Sequence, residues 1–446
     1  MGVSWQEKLN SCLTPKRQRF FLIGLLVIYA LALTYKINEP FMRPSDDFDG
    51  TYGIAAWNWL IHGPLELKFA MKTLARNVGI LPEVTRDFFV DHPSLFIAPT
   101  ALFYWLFGIG EWQTRAGPIL FSLLSLIVFW KLITRVFKTP WLTAASSVFY
   151  ALFPMSVFYG SILINDPFAL FFILALFLAV ITFEQERRRR DFVWILVIMF
   201  FGGLSDWTFL FAAAAAWLYI GLVKNYPQKK LFLLLMPGVL AASLSLTLLQ
   251  IWSVTRMNPL AFLATVFLNR NFAHINALTV PHFLNMLLNF DLIGFSEAGL
   301  ILALAGAIAY LSTYKKDKAK ILFLALLAAP GLLTYSVFYH HSTVHQFYGL
   351  YMTPSVALLA AYGLGRVREW RLVSIVFLLF LISCAWYGSM LFSYTEFAPD
   401  DFAMIKRVNA AVPASLPICL DYPNTSFYLS PNRRVSDPPC SNYSYF

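Results

Sequence analysis

Three aspartates, Asp46, Asp47 and Asp49, stand close together in Pro44-Ser45-Asp46-Asp47-Phe48-Asp49-Gly50-Thr51. A carboxylate here could take the proton from an acceptor hydroxyl or amine, or hold a divalent cation through oxygen. The structural alternative is a solvated acidic loop, or a cap for a helix beginning near Gly50, since Asp is favoured at N-caps. Three other groupings offer related chemistry. Asp91-His92-Pro93 could meet metal or phosphate, or simply cap a helix with proline in its first turn. Asn165-Asp166-Pro167 gives either an N-cap or a second carboxylate facing the cavity of the first. His340, His341 and His345 crowd one short turn and suit metal or phosphate contacts. No Cys/His spacing of a structural zinc site accompanies them, and Tyr348 and Tyr351 fit an aromatic belt at a membrane surface.

The elements that must position these residues are membrane helices. The chain of 446 residues is 59% hydrophobic and only 13% charged, with a mean hydropathy of +0.63. Soluble domains run at roughly 45–50% and about 25%. The net charge of +10 could suggest nucleic acid, but its placement excludes that reading. Lys and Arg cluster between apolar runs, at Lys8 to Arg19, Lys131 to Lys138, Arg187 to Arg190, Lys224 to Lys230, Lys315 to Lys320 and Arg366 to Arg371. These clusters alternate with segments poorer in basic residues, as the positive-inside rule requires. The basicity is topological, and the first apolar run is a span, not a cleaved signal.

A crossing needs roughly 20 apolar residues. Eleven spans are expected, at 20–38, 116–136, 140–162, 167–183, 191–205, 207–223, 231–253, 293–312, 321–339, 348–365 and 371–394. The basic clusters put the N-terminus inside and the C-terminus outside. The first outer loop is 39–115, and its apolar segment Pro93 to Gly108 is too short to cross, so it reads as interfacial or re-entrant. Residues 254–292 form a second outer segment. The organisation is therefore a transmembrane unit, 1–394, followed by a small extracytoplasmic cap, 395–446. An oxidising compartment would permit a Cys419–Cys440 disulfide in that cap, two free thiols being the alternative.

Walker A, GxGxxG, GxSxG and HExxH signatures are all missing. Energy for chemistry would then come from an activated lipid-linked donor or an ion gradient. The order of motifs resembles a family. Asp47-Phe48-Asp49-Gly50-Thr51-Tyr52 with Ala56-Trp57-Asn58-Trp59-Leu60 is similar to the first-loop motif of bacterial GT-C membrane glycosyltransferases. These are relatives of the lipid A aminoarabinose transferase and the protein O-mannosyltransferases. Asp91-His92-Pro93-Ser94-Leu95, then Leu106-Phe107-Gly108, Glu111-Trp112 and Arg115, resembles the family's next run. Asp166-Pro167 holds the place of its second-loop aspartate, and His345-Gln346-Phe347-Tyr348 with Pro354 is similar to a late motif. The resemblance covers about residues 20 to 365.

What the resemblance implies is an all-α GT-C fold and sugar transfer from a polyprenyl-phosphate donor at the extracytoplasmic face. The setting would be a bacterial inner membrane with the site toward the periplasm or exterior. Asp47 would be the catalytic base. Asp46, Asp49, Asp166, His92 and His345 would shape the acceptor or metal site, with Asp47, Asp49 and Asp166 able to hold a divalent cation. Some relatives carry a lysine where this chain has Asp206, so the donor phosphate would need another cation, with Arg86, Arg256 and Arg270 as candidates. The competing reading is a flippase or secondary transporter of a lipid-linked glycan. Such proteins place charged sites near the midplane in paired repeats, and no repeat is visible here.

Overall fold

The computed structural model describes residues 5–42, 45–73, 88–272 and 279–393, with short stretches at 407, 410–411, 418–419 and 435–436. The side chains of Asp46 and of 270–272 lie outside the described residues, as do Arg86 and the side chains of Cys419 and Cys440. The disulfide expectation and most of the cap therefore fall outside as well.

The described residues are almost wholly helical. The first part of the chain forms α1 (Trp5–Cys12), α2 (Pro15–Leu33), α3 (Asp46–His62), α4 (Ala98–Phe107) and α5 (Glu111–Phe137). Then follow α6 (Pro140–Leu152), α7 (Pro154–Tyr159), α8 (Asp166–Glu186), α9 (Arg189–Gly203), α10 (Thr208–Leu222) and α11 (Lys229–Thr255). The last six are α12 (Pro259–Phe272), α13 (Val280–Phe295), α14 (Glu297–Tyr314), α15 (Lys318–Val337), α16 (Thr353–Leu364) and α17 (Trp370–Ser393). A two-residue antiparallel ladder, β1 (Met71–Lys72) with β2 (Phe88–Phe89), ties the first loop together, and β3 (Ile418–Cys419) pairs in parallel with β4 (Val435–Ser436).

Each expected span overlaps helix over much of its length. Among the described residues seven segments are long and apolar enough to cross a membrane: α5, α8, α11, α14, α15, Gln346–Leu364 and α17. The protein is a multi-pass membrane protein, and its surface says so. Leu234, Ile301 and Trp386 are each about two-thirds exposed or more, which water would penalise and lipid does not. The remaining spans fall short for visible reasons. The first turn of α2 carries Lys16, Arg17 and Arg19. The expected 140–162 helix is broken, because Pro154 forces Phe153 into extended backbone (φ −60°, ψ 132°) and splits it into α6 and α7. The interfacial segment is a 3-10 turn, Leu95–Ile97, leading into α4, which Gly108 ends at φ 81°. The outer segment 254–292 contains two helices, α12 and α13, that the hydropathy pattern did not announce.

Helix α8 is the axis of the bundle, packed against α5, α9 and α10, while α16 is clasped by α14 and α6. Small residues permit the α14–α16 approach. A Cβ on Gly306 would stand 1.8 Å from the Leu359 carbonyl oxygen, so only glycine fits.

Candidate active site

Helix α3 carries the acidic cluster in its first turn, where the partial positive charge of the helix N-terminus favours carboxylates. The 100° step per residue turns Asp47 and Asp49 about 200° apart. Asp49 faces inward and is fully buried. Its Oδ2 accepts from Arg115 Nε at 3.0 Å, and its Oδ1 accepts from the Leu163 amide. Arg115, itself buried, also donates through Nη1 to the carbonyls of Lys36, Ile37 and Glu39 at 3.3, 2.9 and 2.7 Å. Asp49 is thus a structural anchor joining α3, α5 and the two flanking loops. Asp47, half-buried, is on the other face. The next residue, Phe48, stacks on Tyr52 and touches His345 and Phe347.

From Tyr52 the aromatic contacts continue to Phe89, whose ring lies parallel to that of His92 at 5.6 Å. His92 turns its Nδ1 toward Asp206 Oδ1 at 3.5 Å. The 91–95 loop is held there by main-chain ties to the α9–α10 turn: Trp207 Nε1 donates to the Asp91 carbonyl at 2.6 Å, and the Leu95 amide to the Leu204 carbonyl at 3.3 Å. Asp206 is buried in that turn, and its Oδ2 accepts from the Thr208 amide at 3.1 Å and the Tyr351 hydroxyl at 3.0 Å. Burial by itself would push the Asp206 carboxyl up. The hydrogen bond and charge of His92 and the bonds from Thr208 outweigh it and hold the group below the usual carboxylate range. Tyr351 stands beside a second carboxylate, Asp166.

Asp166 does not cap α8. It is the first helical residue and fully buried, and its carboxyl faces the Tyr351 hydroxyl, which donates to Asp206 at 3.0 Å. Burying a carboxylate in such a setting is costly and calls for an explanation.

A cavity of about 240 Å³ opens beside this cluster. Asp91, His92, Asp206, Thr208 and His341 form its polar end, and Leu210, Phe211, Leu263, Phe267 and Phe338 its apolar wall. His345 sits behind His341, ring centroids 4.0 Å apart. Asp47 and Asp166 are not among the lining side chains. Phe48, the residue after Asp47, is linked to the cavity region through the Tyr52, Phe89 and His92 contacts, and Asp166 through Tyr351 and Asp206. Of the expected donor-phosphate arginines, Arg256 is exposed, packs over Trp252 at 5.2 Å and does not line the cavity. Arg86 and the Arg270 side chain lie outside the described residues. Among the described residues no group of three His, Cys, Asp or Glu side chains is placed to hold a metal ion, and Asp49 is committed to Arg115. The donor set expected for a divalent cation does not assemble there.

The sequence pattern pointed to the carboxylates and histidines but put Tyr351 in an aromatic belt, where the structure buries it against Asp206; it gave no role to Thr208 and no partner to Arg115. A buried tyrosine and a threonine carry no periodic signal that separates them from ordinary core.

Residues 91–253 match the family model described as dolichyl-phosphate-mannose-protein mannosyltransferase. Among curated protein sequences no significant match exists. The fold is shared with ArnT from Cupriavidus metallidurans in the apo state, at a TM-score of 0.60 and 15% identity over 94% of this chain and 84% of that one. ArnT bound to undecaprenyl phosphate aligns at 0.61 and 16%, over 94% and 85%. The apo oligosaccharyltransferase of Archaeoglobus fulgidus aligns at 0.57 and 11%, over 94% of this chain and 64% of that one. The architecture is that of the GT-C fold.

Proposed function

We propose that this protein is a membrane glycosyltransferase that moves a sugar from a polyprenyl-phosphate donor to an acceptor at the extracytoplasmic face, with inversion at the anomeric carbon. The observation that carries the reading is the cavity beside the His92–Asp206 pair, polar at one end and walled by apolar side chains of α10 and α12 and of the turn after α15. A prenyl tail suits the wall, and a sugar and phosphate suit the polar end. The match of residues 91–253 and the undecaprenyl phosphate bound to one structural neighbour support the same substrate class.

In this mechanism Asp47 takes the proton of the acceptor as its oxygen or nitrogen bonds to the anomeric carbon. The bond between that carbon and the phosphate oxygen breaks, and the electron pair leaves with the polyprenyl phosphate. His92, oriented by Asp206 at 3.5 Å, donates a hydrogen bond to the departing phosphate. The arginines expected for that role are therefore unnecessary to the reading. No step is routed through a metal.

The test is turnover of a panel of radiolabelled polyprenyl-phosphate hexoses and pentoses by purified protein, with donor binding measured separately. Asp47→Asn should lower transfer on the order of 10²–10⁴-fold while donor binding persists. A dead Asp46→Asn beside an active Asp47→Asn moves the base by one residue. Full activity in both removes this loop from the chemistry, and lipid translocation without transfer favours the flippase.

A further inference from the structure

Helices α5 and α8 both begin at the candidate site, at Arg115 and Asp166, and both end at a second cavity on the far side of the bundle. The 21 residues of α8 put the two roughly 30 Å apart. This second cavity, of about 620 Å³, is of opposite character. Lys131, Arg135 and Lys138 line it, with the hydroxyls of Thr134 and Thr182 and the indole face of Trp130. Arg135 is engaged by Glu186 at 2.6 Å. Lys131 and Lys138 are exposed, and among the described residues neither pairs with an acidic side chain. Lys138 caps α5 in the left-handed region, at φ 53°, which turns the chain at the cavity rim. Trp130 touches Phe21 of α2 at 5.9 Å, bringing the basic first turn of α2, with Lys16, Arg17 and Arg19, to the same end.

The cavity does not stop at its charges. Thr182, Leu178 and Phe171 recur at helical spacing on one face of α8, and the half-buried Phe171 meets Phe121 of α5 at 5.2 Å. An apolar seam between the two helices therefore runs roughly 16 Å away from the lysines. A phosphate ester fits the two ammonium groups and hydroxyls. An apolar seam of that length beside it calls for an acyl chain on the same molecule. We propose that this basin binds the phosphate headgroup of an anionic glycerophospholipid, with an acyl chain laid in the α5–α8 seam. The positive-inside rule accounts for basic residues at this end. It does not account for their convergence on one cavity whose wall, at Leu178, lies on the same face of α8 as the half-buried Phe171.

The full chain, stripped of lipid in detergent, is exposed to phosphatidylcholine vesicles with or without phosphatidylglycerol, and retained lipid is counted by native mass spectrometry. The wild type should keep phosphatidylglycerol in preference to phosphatidylcholine. The Lys131→Gln/Lys138→Gln pair should lose that preference on the order of 10- to 30-fold, and Lys131→Arg/Lys138→Arg should keep it. Should the Gln pair lose its helical circular-dichroism signal, wild-type retention must still fall as salt rises from about 0.05 to 0.5 M. Equal retention by the Gln pair and wild type overturns the proposal, as does loss in the Arg pair. Glycerol 3-phosphate binding as well as the tailed lipid overturns the lipid source and leaves a soluble phosphate ester.

Discussion

Asp206, Asp166 and Asp291 are one residue type in three different electrostatic situations. Asp206 is held below the usual carboxylate range because His92 and Thr208 outweigh its burial. A depressed carboxyl contributes stability that is present above its unfolded value near 3.9 and lost as pH falls through its folded value. Asp206→Asn should therefore cost about 3 kcal/mol at neutral pH, as breaking a buried pair does, and progressively less as pH falls below the ordinary carboxylate range. Thermal unfolding in detergent across that range reads the change, and an unchanged midpoint at pH 7 would remove the pair from the stability of the site. Asp291, on α13, behaves in the opposite way. Burial pushes its carboxyl up to about 7, against the pull of the Tyr335 hydroxyl, which donates to it at 3.2 Å. The unfolded chain loses that proton near pH 3.9 and the folded protein near 7, so stability declines between those values and stays flat above. Replacing Asp291 by Asn should remove that decline. The gap in unfolding midpoint must shift in the variant's favour from pH 4 to pH 7, and a constant gap would contradict the assignment.

At the scale of elements, the Asp49–Arg115 pair is the joint that gives α3 its place. Both partners are buried, and Arg115 also gathers three carbonyls of the 36–39 turn. Removing one partner of such a pair typically costs about 3–5 kcal/mol, because a charge is left uncompensated in the interior. Asp49→Asn and Arg115→Met should each lower the unfolding midpoint sharply, and the double variant should recover part of the loss. Activity per folded molecule of Asp49→Asn should far exceed that of Asp47→Asn. A variant at Asp49 that keeps its midpoint and loses turnover would return Asp49 to the chemistry. The two aspartates differ in surroundings because the helix turns them to opposite faces, not because their neighbours in sequence differ.

At the scale of the whole molecule, the arrangement depends on sidedness. A reporter fused after residue 394 should report the extracytoplasmic side, and one inserted near Arg188 the cytoplasm. The basic ends of α5 and α8 would then face the cytoplasm, and Asp47, Asp166 and Asp206 the exterior. A cytoplasmic Asp47 would place the carboxylates away from a translocated donor and end the glycosyltransferase reading.

Span positions, the short interfacial segment and the membrane class were legible in the residues alone, because hydropathy, basic flanks and helix length are summed over neighbours along the chain. The first-loop aspartates, Asp166 and the histidines were legible as candidates for the same reason: each sits at a helix start or in a tight turn. Their roles were not. Asp49 meets Arg115 across 66 positions, and Asp206 meets His92 and Tyr351 from three separate segments. Proline at 154 could be read as a break, but the turn that buries Asp206 and the outer helix α12 that walls the cavity could not. Only tertiary structure decides which carboxylate is paired, which is buried beside a second carboxylate and which faces a cavity, because burial and partner are set by residues distant in the chain, and these determine what a carboxylate can do.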